Sequence, residues 1–360
     1  MSTECLFSEQ YAAALALLTQ NTEQAQAQAT QLVAIARQQQ DGEWIGQAYR
    51  LQAKAQSLAG QKKDAIKTLQ TAIRYLKRLK HMPPVMQCED ELGQLYYEQL
   101  DYYLALDSWL KSLEIAALLQ DSRGCIRAYI GVGKVHFAFG DFRKAMHFHL
   151  IANSLSLPLQ DKELDCEVAL NIATAAYRLG ELDRALAALG QVSQHLLDGI
   201  NHPEWRAEVL TYDGLIHLHF ERYREAQEIL SQAYQLFRHN KLVAGQVQVM
   251  SALARCFIGL NQIDLAEECL QEAVRLSERQ QLATLLLESQ SLLAELYLDS
   301  GQYKLALEHR KKLHDLLTGQ SLGQGFPLKL SRHSSARLRK IERELEMSKS
   351  RHRLLRLMTP

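Results

Sequence analysis

One alanine recurs along this chain at a nearly fixed interval: Ala65, Ala105, Ala145, Ala185, Ala226, Ala266 and Ala306, with spacings of 40, 40, 40, 41, 40 and 40 residues. A beat of this length marks a repeated supersecondary unit, each copy leaving an apolar face that the next copy covers. Twelve residues before each alanine stands a tiny side chain: Ala53, Gly93, Gly133, Ala173, Gly214, Ala254 and Ala294. Seven residues after it stand Ala72, Ser112, Ala152, Val192, Ala233, Ala273 and Leu313.

The intervening residues predict two antiparallel helices per repeat, A and B. A turn falls about five residues before each alanine, as in Phe139-Gly-Asp-Phe142, Leu179-Gly-Glu-Leu182 and Ser300-Gly-Gln-Tyr303. Glycine takes the positive φ that ends a helix at little cost. A large apolar residue usually follows the turn (Tyr102, Phe142, Leu182, Tyr223, Ile263, Tyr303) and is expected to fill the wedge between helices. The small positions are expected where helix A crosses helix B closely and the backbones approach. Leu, Ala, Gln and Glu dominate the composition, and good helix formers of this kind agree with an all-α fold.

This order of small, aromatic, Gly and Ala residues resembles the tetratricopeptide repeat, in the longer 40-residue form of MalT-like, Rap-like and LGN-like regulators. Gly-Asp-Phe-Arg-Lys-Ala145 and Gly-Gln-Tyr-Lys-Leu-Ala306 carry the likeness best, whereas Gln56, Lys62 and Leu100-Asp101 depart from it. The resemblance implies an all-α, right-handed superhelical solenoid of about seven to eight helical hairpins plus a C-terminal helix. It places degenerate capping helices at 1–42, with Ala13 and Ala25 in phase, and seven repeats at 43–317.

The remainder reads as a linker at 318–333, with three glycines and a proline, followed by a basic helix at 334–358. Leu338, Ile341, Leu345, Ser348, His352 and Leu355 form a short heptad seam, which suits a brief coiled coil and possible homodimerisation. From Lys329 onward there are ten Lys and Arg against three Glu, a charge of +7 that the rest of the chain balances at −7. Three readings of this tail stay open: a dimerising signalling helix, a cation that binds an acidic surface (nucleic acid, membrane or its own body), or a solvated end. It lacks the interleaved aromatics of a specific nucleic-acid reader.

Chemistry is sparse. No phosphate loop, nucleophile elbow or HExxH motif appears, and the expectation is that the chain is not an enzyme and needs no cofactor or metal. The six cysteines (Cys5, Cys88, Cys125, Cys166, Cys256, Cys269) include no CxxC pair, which argues against zinc and disulfides. His147/His149 and His217/His219 are two residues apart, so on a helix they point to different faces. His149 falls in phase with Leu69, Trp109, Leu189, Leu230 and Leu270 and is expected in the core. Asp213 occupies a place held elsewhere by Leu92, Val132, Ile172, Leu253 and Leu293, and is expected to be buried and bonded to His217 one turn on. The acidic amino terminus and the absence of a long apolar run suggest a cytoplasmic protein.

In tetratricopeptide proteins the A helices line a concave groove, and the resemblance carries their inward positions onto this sequence by phase. Arg50, Lys54, Gln94, Tyr97, Arg127, Lys134, Phe137, Thr174, Tyr177 and Arg178 are the resulting partner-binding residues, with Gln47, Ser57, Gln87, Asp90, Glu98, Ile130, Glu167, Leu170, Thr211, Leu215, His219, Ser251, Arg255, Ser291 and Glu295 also implied as inward. Cations beside aromatic rings suit an acidic, partly apolar protein or peptide. The Lys-Asn clamp of chaperone-binding members is missing. The sequence therefore predicts a scaffold for protein–protein interaction, a regulatory adaptor. The alternative is a peptide-responsive signalling or transcription regulator resembling the sensory half of repeat-containing cyclases, without an output domain before Pro360.

Overall fold

The computed structural model of the chain describes residues 3–18, 21–200, 202–280, 282–319, 336–340 and 343. Among them are 16 α-helices and no strand. None of the helices is long and apolar enough to cross a membrane.

The helices fall into two compact units. The first takes residues 1–158 together with 325–360, and the second takes residues 159–324. In the first unit the hairpins are α1 (Thr3–Leu17) with α2 (Thr22–Gln39), α3 (Gly42–Leu58) with α4 (Lys62–Arg78), α5 (Met82–Glu98) with α6 (Tyr102–Leu119), and α7 (Ser122–Ala138) with α8 (Phe142–Ser156). In the second they are α9 (Lys162–Leu179) with α10 (Leu182–Leu197), α11 (Pro203–His219) with α12 (Tyr223–His239), α13 (Val243–Gly259) with α14 (Ile263–Arg279), and α15 (Ala283–Asp299) with α16 (Tyr303–Gly319). A helices carry odd numbers and B helices even ones.

Local chemistry sets the helix ends. Asp41, Asp121 and Asp161 cap A helices by accepting from the backbone N–H of Trp44, Gly124 and Leu164. At the other end a left-handed residue recurs about every 20 residues, at Gln40, Gly60, Lys80, Leu100, Gln120, Gly140, Gln160, Gly180, Glu221, Lys241, Asn261 and Gly301. After α7, for example, Asp141 N–H bonds the His136 carbonyl at 3.0 Å and Gly140 N–H bonds that of Phe137 at 2.9 Å. Leu100 adopts the turn with φ 66°, so the motif survives loss of its glycine.

The small positions have a more specific cause than close backbones. At the three glycines among them a B-helix side chain lies directly over the position. A Cβ on Gly93 would stand 2.8 Å from the Trp109 Nε1, and one on Gly214 would stand 2.6 Å from the Leu230 Cγ; the His149 ring covers Gly133 in the same way. Each pair is 16 residues apart, so the tiny residue on A and the large one on B are halves of one contact. The recurring alanines Ala65, Ala105, Ala145, Ala185, Ala226 and Ala266 are completely buried.

Within each unit the A helices touch one another: α1 to α3, α3 to α5 and α5 to α7, then α9 to α11, α11 to α13 and α13 to α15. No pair of B helices does so to a like extent among the described residues. The A side is therefore the tighter, inner side of each unit. The residue after the turn packs onto the next hairpin, as Tyr102 does on Phe139 with ring centroids 5.6 Å apart. Among the described residues no hairpin follows α16, and Tyr303 at its start is 70% exposed.

Of the sequence expectations for the carboxyl-terminal part, the linker from residue 320 to 333 and the heptad positions after Leu338 lie outside the described residues. The helical turn 336–340 is described and belongs to the first unit.

Candidate functional site

Seven of the ten expected partner-binding residues lie in the first unit. On α3, Arg50 donates from Nε to Glu91 Oε1 at 2.7 Å and from Nη1 to Gln87 Oε1, both on α5. Burial works against its charge, and Glu91 beside it outweighs burial and holds the guanidinium above the usual arginine range. Arg50 is thus an A-to-A strut. Lys54 and Arg127 are exposed, and Lys134 and Gln94 are half-buried. Gln94 donates its amide to Glu98 at 3.1 Å. Tyr97 packs 5.4 Å from Tyr102 and 5.9 Å from Trp109, and Phe137 meets Phe142 edge-on at 5.0 Å. These two rings are shared between the inner face and the core.

The other three lie in the second unit, on α9. Thr174 turns its hydroxyl back to the Leu170 carbonyl at 2.9 Å, Tyr177 is half-buried, and Arg178 is exposed. Tyr177 meets Tyr212 of α11 edge-on, with centroids 5.9 Å apart. Burial pushes the Tyr177 phenol up, while Arg255 of α13 and Arg178 draw it back down. Burial pushes the Tyr212 phenol up to about 12, with Thr174 and Gln248 beside its hydroxyl. Arg255 also reaches Glu288 of α15 at 3.3 Å. Four consecutive A helices thus build one cluster of two tyrosines, two arginines and a glutamate.

Tyr212 is absent from the sequence-derived set. It stands where Leu51, Glu91, Gly131, Asn171, Ala252 and Leu292 stand in other repeats, and being the one aromatic there was the available signal. Conversely, Ile130, Leu170, Thr211, Leu215 and Ser251 are buried rather than lining the surface. Ser251 sits in the seam where neighbouring A helices touch, 3.3 Å from Ser289 on α15. Close A-to-A packing on the inner side covers that position.

The Asp213 expectation is corrected. Its side chain is 38% exposed and lies 3.9 Å from His217, beyond hydrogen-bond distance. His217 instead approaches Glu225 of α12, with Nδ1 2.9 Å from Oε2. His149 is a buried core residue and His147 is exposed. Among the described residues no three His, Cys, Asp or Glu side chains gather as a metal site. Cys88, Cys125, Cys166 and Cys256 are buried, and burial pushes the Cys125 thiol up to about 12, which suits packing rather than reactivity.

No family model matches the chain, and no curated relative matches its sequence. Solved structures do. The apo form of RapI is similar over 86% of this chain and 99% of its own, with a TM-score of 0.59 at 12% identity. A Rap protein complexed with Competence and Sporulation Factor is similar over 87% and 98%, with a TM-score of 0.58 at 13% identity. The apo form of the quorum sensor NprR from B. thuringiensis is similar over 88% and 100%, with a TM-score of 0.54 at 15% identity. The fold is a tetratricopeptide-type solenoid. Identity this low establishes the architecture alone. The two units each present an A-helix face.

Proposed function

We propose that this chain is a non-enzymatic regulatory adaptor whose A-helix faces bind an acidic, partly apolar protein or peptide. The observation that carries the reading is the Tyr177–Tyr212 pair with Arg178 and Arg255 beside it. Half-buried rings offer apolar contact at little entropic cost, and guanidinium groups next to them bind carboxylates in forked geometry. In the first unit Lys54, Arg127 and Lys134 supply further cations. The unused remainder of each face gives shape and excludes water.

The test compares proteins captured by the immobilised full chain with those captured by Arg127→Glu/Lys134→Glu and by Arg178→Glu/Arg255→Glu. The expected result is loss of one common set of partners, at least about tenfold, with circular dichroism unchanged. Equal capture by all three proteins would remove the reading.

The likeness to the complexed Rap protein and to the quorum sensor NprR favours a second reading, in which the occupant is a small signal peptide that shifts the chain between two conformations. A ligand-dependent change in scattering radius distinguishes that sensor from a rigid scaffold.

A further inference from the structure

The basic carboxyl-terminal segment touches the first unit on its outer, B-helix side. Arg337 grips α6 with its whole guanidinium: Nε donates to Glu114 Oε1, Nη2 to Glu114 Oε2 at 2.7 Å, and Nη1 to Asp107 Oδ1 at 3.1 Å. Asp107 and Glu114 are seven residues apart, two turns on one side of α6, so one arginine spans both. The arginine side chain is only 14% exposed, whereas its two acceptors keep about 40%. The next residue, Leu338, is 7% exposed. An apolar anchor thus stands beside a forked ion pair, joining segments more than 220 residues apart.

Beside this contact a cavity of about 330 Å³ opens among α4, α5 and α6. Ile73, Lys77, Glu89, Tyr96 and Lys111 line it, and Asp107 stands on its wall. Asp107 therefore serves both the cavity and Arg337, and Lys111 holds it in place at 2.6 Å.

The geometry points to the outer face of α6 as a docking surface for a basic helix, which the chain fills in cis with its own turn 336–340. Several features argue that the dock is a releasable latch. The contact is small, its acceptors remain wet, and the sequence carries +7 in the tail against −7 in the rest, so salt weakens it directly. An acidic partner that takes up the tail cations would open it as well. Leu338 is also the first position of the heptad seam, so docking in cis withholds that position from pairing with a second copy. The inference concerns the outer face and stands apart from the inner-face proposal.

Trypsin reads the latch on the full chain, because Arg337, Arg339 and Lys340 fall within four residues of the tail. In about 50 mM salt, cleavage after Arg339 is expected to run at least about tenfold faster in Asp107→Asn/Glu114→Gln than in the wild type. The wild type is expected to approach the variant's rate in about 500 mM salt. A charge exchange guards against a merely damaged fold: Glu114→Arg and Arg337→Glu each cleave fast, and the two combined regain protection. Equal low-salt rates in wild type and variant, or no rescue by the exchange, would overturn the latch. Protection that grows with protein concentration would place the turn on a second copy and overturn the assignment in cis.

Discussion

The indole of Trp109 lies across Gly131, so close that a Cβ on that glycine would fall far inside van der Waals contact of its Cδ2 and Cε2. Trp109 sits on α6, and its ring is pressed between Gly93 of its own hairpin and Gly131 of the next. The adjacent repeats place Leu69 and His149 where this one has tryptophan, and Glu91 and Asn171 where the next has Gly131. The large residue and the absent one compensate across a repeat boundary.

Gly131→Ala is therefore expected to destabilise the chain by about 1–3 kcal/mol through overpacking. In a Trp109→Leu background the same change should cost much less, because the ring that it strikes is gone. Urea denaturation of the four proteins in this cycle measures the coupling; a coupling near zero would show that the ring simply moves aside.

Two buried histidines in the α7–α8 hairpin are expected to make the fold acid-sensitive. Burial lowers the His149 pKa to about 3, with Lys134 adding to the shift, and burial lowers that of His136 to about 4 despite Asp141 nearby. An unfolded histidine titrates near 6.5. As pH falls from 6.5 toward 4, the unfolded chain takes up two protons that the folded chain refuses, so stability falls with pH. The slope is about 1.4 kcal/mol per pH unit for each histidine. His149→Leu, the residue type of Leu69, Leu189, Leu230 and Leu270 at this place, should roughly halve the pair's contribution between pH 6 and 4.5, as chemical denaturation across that range would reveal.

Glu221 holds φ at 56° in the turn between α11 and α12 with an exposed side chain. A left-handed L residue costs about 1–2 kcal/mol, part of which glycine returns through its freer unfolded state. Glu221→Gly should raise stability by roughly 0.5–1 kcal/mol, visible as a higher melting temperature. A lower one would mean that the carboxylate has a partner worth more than the strain.

The half-exposed Asp213 stands too far from His217 for a hydrogen bond. Asp213→Asn should change stability by less than about 0.5 kcal/mol, as solvated pairs do. A loss of about 2 kcal/mol or more in thermal denaturation would instead identify a buried role for this carboxylate.

Much of this molecule is legible in its amino acids because a solenoid repeats one local solution. The alanine beat, the tiny residue sixteen positions before Leu230 or Trp109, and the turn every twenty residues all follow from contacts within one hairpin or between adjacent ones. Such contacts leave a periodic trace, and the all-α repeat could be read from it. What the trace could not reveal is which exposed residues are spent on one another. That Arg50 is bound to Glu91, that Tyr212 joins Tyr177, that Ile130, Leu170, Thr211 and Ser251 are covered, and that Arg337 reaches Asp107 and Glu114 depend on side chains brought together from separate helices. Those meetings are set by helix packing in three dimensions, and no spacing along the chain encodes them.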